Sequence, residues 1–175
     1  MIEERIIISD SNIFFDLISV DLLKDFFKLP CKIATTDFVI NEIIKSDQQK
    51  KIGSYIDSKQ LHVEGFEANE LLEIISIYQS TDNNVSLTDC SVWYYAKKTQ
   101  GRMLTGDAKL RRVASEDNVK VSGFLFILDN LIEYGILSRC ECADKLKQLI
   151  EINSRLPKKE CEERIKLWGL WCQPR

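Results

Sequence analysis

Four acidic residues stand where an α/β chain would gather its chemistry. Asp10 ends the apolar run Ile6-Ile7-Ile8-Ser9. Glu42 lies on a helical stretch, in the second turn after Thr35-Thr36. Asp89 falls in the first turn of a helix opened by Ser86-Leu87-Thr88, and Asp107 follows Met103-Leu104-Thr105-Gly106. In an open parallel sheet, strand C-termini and the N-termini of the following helices share one edge, and ligands bind along it. Carboxylates packed there repel and raise each other's pKa values. A divalent cation offsets that repulsion. Mg²⁺ prefers oxygen donors and keeps several waters while contacting a few carboxylates and a substrate phosphate. Such a site activates water and stabilises the charge that builds on a phosphodiester under attack. Taken singly, each acid has a plainer reading. Asp89 and Asp107 read as helix caps favoured by the helix dipole, and Glu42 as an exposed helix position. The chemical reading rests on the four together.

The elements that must position these acids follow from the apolar pattern. Ile6–Ile8 is a short β-branched run, the signature of a buried parallel strand. The stretch 13–27 reads as one or two helices, and 31–35 as a second strand. Thr35-Thr36-Asp37 caps a helix carrying Val39, Ile40, Ile43 and Ile44. A helix over 48–59, a strand over 61–66 and a helix over 67–79 follow. Thr81-Asp82-Asn83-Asn84 is the clearest loop. Ser86 with Asp89 three residues on resembles a capping box, and Gly101 ends that helix. A strand over 102–105, a helix over 108–116 and a strand over 120–122 complete the alternation. Beyond Gly123 the pattern is helical: 124–134, about 142–152, and 158–168. Strands alternating with helices predict a three-layer α/β/α fold with a central parallel sheet. The chain reads as a single domain over 1–175, with a core of about 5–123 and a helical C-terminal extension of about 124–175.

Composition narrows the setting. A chain of 175 residues, 45% hydrophobic and 29% charged, fits one soluble globular domain. No apolar run is long enough to cross a membrane, and the start lacks the pattern of a secretion signal, so a cytoplasmic location is expected. The six cysteines have no paired CxxC spacing, so reduced thiols are expected and a zinc site is not. A net charge of −3 does not advertise nucleic acid. Lys45, Lys97, Lys109, Arg111 and Arg112 are nonetheless candidates for phosphate contacts. His62, the single histidine, sits away from the acids and reads as structural or exposed. Trp93, Tyr94 and Tyr95 could stack bases, but their helical spacing favours core. Trp168 and Trp171 read as anchors for the last helix or as a partner surface.

The acidic motifs resemble a known family. Ile-Ser-Asp10-Ser-Asn, Asp37-Phe-Val-Ile-Asn-Glu42-Ile-Ile, Ser86-Leu-Thr-Asp89-Cys-Ser-Val and Leu104-Thr-Gly-Asp107 occur in the order and spacing of PIN-domain nucleases. The stretch from Arg111 to Leu137 looks like a prokaryotic branch of toxin–antitoxin toxins. The resemblance implies one or two Mg²⁺ or Mn²⁺ ions held by Asp10, Glu42, Asp89 and Asp107, with Ser11, Asn12 and Thr105 supporting them. It implies hydrolysis of RNA, an antitoxin protein as partner, and a homodimer. One departure is Lys109, where many relatives place a further Asp. Two rivals stay open. A catalytically inactive interaction module would keep the fold for binding a small protein or RNA. A haloacid dehalogenase-type phosphatase also begins with an Asp after an apolar strand, but it needs a second acid at the position of Asn12, which cannot exchange a proton in that cycle.

Overall fold

The computed structural model describes residues 6–81 and 85–170, with side chains from Ser9 onward. Trp171 and Cys172 lie outside the described residues. Five strands, β1 (Ile6–Ser9), β2 (Lys32–Thr36), β3 (Leu61–Glu64), β4 (Arg102–Leu104) and β5 (Lys120–Ser122), form one sheet in the order β3-β2-β1-β4-β5. All four pairings are parallel, with Ile8 opposite both Ala34 of β2 and Met103 of β4. Parallel pairing requires a crossover between strands, and right-handed crossovers place the helices. From β1 to β3 the chain moves one way across the sheet. From β3 it returns past β1 and runs on to β5. The two directions put the connecting helices on opposite faces, which is the three-layer α/β/α arrangement expected from the sequence.

The first half carries α1 (Ser11–Ser19), α2 (Leu23–Phe26), α3 (Asp37–Glu42) and α4 (Ser46–Asp57). The second half carries α5 (Ala68–Ser80), α6 (Leu87–Thr99) and α7 (Ala108–Glu116). The stretch 13–27, read as one or two helices, is two, broken at Asp21, which takes a left-handed φ of 53°. Ile13, Phe14, Leu17, Leu22 and Phe26 are buried from this segment. From α6, Cys90, Val92, Trp93, Tyr95 and Ala96 are buried. Trp93 is satisfied by donating from Nε1 to Asp117 at 3.0 Å, so it and Tyr95 are core rather than a base-stacking face. His62 is exposed and pairs with Glu64 at 2.8 Å. The reversal after α6 falls at Gln100 (φ 53°), one residue before the glycine that signalled it.

The extension folds as α8 (Phe124–Glu133), α9 (Arg139–Ile152) and α10 (Lys158–Gly169). α9 begins three residues earlier than its apolar pattern indicated, because Ser138 and Glu141 form a capping box. α10 lies on α9, and α8 reaches α2. Trp168 is buried, the anchoring role its spacing suggested. Cys90, Cys142 and Cys161 are free thiols, but Cys140 is disulfide-bonded. This corrects the expectation of reduced thiols throughout, which rested on the lack of an export signal and not on geometry. Among the described residues no helix is long and apolar enough to cross a membrane.

Candidate metal centre at the sheet edge

The strand order reverses direction between β1 and β4, and a parallel sheet opens a crevice at such a point, beyond the strand C-termini. Asp10 follows β1 there, and Asp107 lies just past the end of β4. The Asp10 amide donates to the Leu104 carbonyl at 3.2 Å, which ties the two strand ends together. Asp10 caps α1, with Oδ1 accepting from Ile13 N at 3.0 Å. Asp107 caps α7, with Oδ1 accepting from Lys109 N at 2.7 Å and Leu110 N at 2.9 Å. Asp89 closes the capping box of α6, with Oδ2 accepting from Ser86 N and Oγ at 3.1 and 2.7 Å. Glu42 is the last residue of α3, and its Oε2 accepts from Ser11 Oγ at 3.0 Å. The plain capping reading of the aspartates is therefore correct as far as it goes. Each of the four acids uses one oxygen in these bonds and leaves its other oxygen out of them.

The electrostatics link the four. Asp10 is 1% exposed, and its pKa is pushed up to about 7, chiefly by burial and further by the charges of Asp89 and Asp16. The Thr105 side chain and the Ile13 amide pull it back down. Its Oδ2 is buried with no hydrogen-bond partner of good geometry. Asp89 is also raised, first by burial, with Asp107 and Glu42 adding repulsion and Ser86 opposing it. The structure thus brings all four sequence-designated acids to one edge, close enough to feel one another. Among the described residues, no three acidic, histidine or cysteine side chains stand close enough to hold a metal as placed. Asp89 and Asp107 are folded back onto their caps instead.

The supporting residues differ in role. Thr105 is fully buried, and its Oγ1 accepts from Asp107 N at 3.0 Å. That leaves its hydroxyl hydrogen for Asp10. Ser11 holds Glu42. Asn12 faces the C-terminal extension, accepting from Arg155 Nη2 at 3.2 Å. Of the basic residues, Lys45, Lys109 and Arg112 are exposed. Arg111 reaches back to the Thr105 carbonyl at 3.3 Å. Lys97 is not brought to the edge: it sits two turns along α6 from Asp89, paired with Asp117 at 2.7 Å.

One further acid carries no sequence signal. Asp16 is 8% exposed on α1, and its pKa is pushed up to about 6, mainly by burial. Asn153 Nδ2 donates to both its oxygens, at 3.0 and 2.9 Å, and Arg155 lowers its pKa as well. The partners lie 137 residues apart, so no local pattern marks them.

A parallel sheet whose switch point is ringed by carboxylates defines an acid-edged α/β domain. The sequence profile of the PIN domain (DUF3368) matches residues 6–170, and the chain belongs to the PIN-domain family, whose members are in general nucleases. Two solved structures are similar to it. VapBC2 from Rickettsia felis bound to a DNA fragment from their promoter shares 17% identity over 67% of this chain and 98% of that one, with a TM-score of 0.49. FitAcB from Neisseria gonorrhoeae shares 12% identity over 66% of this chain and 95% of that one, with a TM-score of 0.42. No curated protein matches the chain.

Proposed function

We propose that the chain is a metal-dependent endoribonuclease, acting as the toxin of a toxin–antitoxin pair, with Asp10, Glu42, Asp89 and Asp107 as its Mg²⁺ or Mn²⁺ ligands. The observation that carries the reading is the buried Oδ2 of Asp10, which no hydrogen bond of good geometry satisfies, beside further acids that repel one another. An orphaned buried carboxylate oxygen costs free energy unless something positive meets it. The donor set is all oxygen, as a hard divalent cation requires. Asp89 and Asp107 each have an oxygen outside their cap bonds.

Bound there, such a cation supplies positive charge that makes water a better nucleophile and offsets the charge developing on the phosphate. The protein supplies the rest. The Ile13 and Leu110 amides and Thr105 fix the carboxylates on rigid helix starts. Ser11 holds Glu42 beside the edge, where it would bind the cation or position the attacking water. The α1 and α7 N-termini direct their dipoles at the incoming phosphate. Lys109, where relatives place another acid, offers a cation to that phosphate in place of a further metal ligand. An antitoxin segment occupying the edge, and a homodimer, belong to the same reading.

The test is cleavage of labelled single-stranded RNA with Mn²⁺, comparing wild type, Asp10→Asn and an EDTA control. Cutting by wild type alone supports the reading. An inert wild type that also fails to bind Mn²⁺ replaces it with a non-catalytic interaction module on the same fold.

A further inference from the structure

Beside the acid edge, the surface opens into a pocket of about 320 Å³. Gly106 and Ala108, the two neighbours of Asp107, line it together with Arg111 of α7. The segment joining α9 to α10 contributes Arg155, Leu156 and Pro157, and Leu125 of α8 adds a further apolar side chain. The pocket therefore exists only because the extension is folded against the sheet edge.

Its two guanidinium groups are unusual in what they lack. Neither Arg111 nor Arg155 has a carboxylate within ion-pair distance among the described residues. Arg111 Nη2 donates to the Thr105 carbonyl at 3.3 Å, and its Nε is buried with no partner. A Cβ on Gly123 would lie 2.5 Å from Nη2, so the glycine makes room for this group. Arg155 Nη2 donates to the neutral Asn12 Oδ1 at 3.2 Å, and its charge also acts on the Asp16 carboxylate. Asp16 and Glu160 also line the pocket; Asn153 Nδ2 donates to both Asp16 oxygens, and Glu160 is exposed at the α10 end. Neither arginine is locked in a carboxylate ion pair, so each keeps donors of its fork for an outside anion, and that geometry matches phosphate. Leu125, Leu156 and Pro157 supply apolar wall. The volume lies at the small end of ligand sites, which suits one nucleotide and excludes a duplex.

We infer that this pocket is a subsite for one nucleotide of a single-stranded substrate, the one flanking the phosphate at the acid edge. Arg111 and Arg155 take its own phosphate, and the apolar wall takes its ring. The inference rests on the nuclease reading and deepens it: the C-terminal extension becomes part of the substrate site and a source of nucleotide preference.

The experiment is calorimetric titration of nucleoside 5′-monophosphates, and of inorganic phosphate, into Asp10→Asn protein in EDTA. Neither cleavage nor a cation enters this readout, so failure of the nuclease reading and failure of the subsite are separable. The expected result is saturable nucleotide binding that is tighter than phosphate binding. Arg155→Gln is expected to weaken it on the order of tenfold, the loss of a charge-assisted hydrogen bond. Ala108→Trp, which fills the pocket from an exposed position, gives a similar loss. Thermal melts of both variants show whether the fold is kept. Binding unchanged in folded Arg155→Gln and Ala108→Trp proteins overturns the subsite. So does the absence of saturable nucleotide binding, or phosphate binding as tight as nucleotide.

Discussion

Replacing Asp10 by Asn should make the metal-free protein more stable at pH 8 and remove a pH dependence of its stability. Asp10 has its pKa raised from 3.8 to about 7, with burial the first cause. A raised carboxyl pKa means the folded state binds its proton more tightly than the unfolded state. The contribution is fully present below about pH 4, declines as pH rises, and is lost above about pH 7. A rise of that size corresponds to roughly 4 kcal/mol at full ionisation. Asn keeps the α1 cap, since Asn and Asp cap equally well through a side-chain oxygen. Its amide then stands where Oδ2 has no partner, a cost of about 1–3 kcal/mol. The balance is a variant more stable than wild type by about 1–3 kcal/mol at pH 8 and less stable by a similar amount near pH 4. Urea denaturation in EDTA at a series of pH values measures this. A difference between wild type and variant that stays flat from pH 4 to 8 refutes the assigned environment of Asp10. Using the difference isolates Asp10 from Asp16, which titrates in an overlapping range.

Other substitutions probe the supports. Thr105→Val keeps the shape of a fully buried side chain but strands the Asp107 amide. It should cost about 1–3 kcal/mol in urea melts and lower the cleavage rate, and unchanged stability would contradict the shared role of its hydroxyl. Ser86→Ala removes one half of the α6 capping box. A loss of about 1 kcal/mol is expected, read as a shifted denaturation midpoint. Asn153→Ala takes away both bonds to Asp16, which raises the Asp16 pKa further. The resulting destabilisation should be larger at pH 8 than at pH 5, because only the ionised carboxylate needs those donors. An equal loss at both pH values would show that Asn153 acts by packing alone.

The sheet and its acids were legible because local signals carry them. A β-branched run before Asp10, and Ser or Thr caps before Glu42 and Asp89, each mark a strand or helix end within a few residues. Parallel topology then brings those ends to one edge without any information about contacts. What was not legible came from longer range or finer geometry. Lys97 looked available as a basic residue, but helical spacing carries it two turns from Asp89 and onto Asp117. The clasp of Asn153 and Arg155 on α1 joins segments with no shared pattern. The early start of α9 was encoded in Ser138 and Glu141, a capping signal outweighed by the apolar run that begins at Cys142. The Cys140 disulfide has no spacing signature that separates it from the chain's other cysteines.

The central claim is that the repelling carboxylates at the β1–β4 edge form a cation site. Calorimetric titration of Mn²⁺ near pH 7, in two buffers of different ionisation heat, tests it most directly. Burial raises the Asp10 pKa to about 7, and a bound cation must displace the proton the carboxyl carries there. Saturable Mn²⁺ binding with proton release is expected, which Asp10→Asn abolishes and Asp107→Asn weakens by about tenfold or more. Wild-type protein that takes up no Mn²⁺, or takes it up equally well with Asn at position 10, would contradict the account.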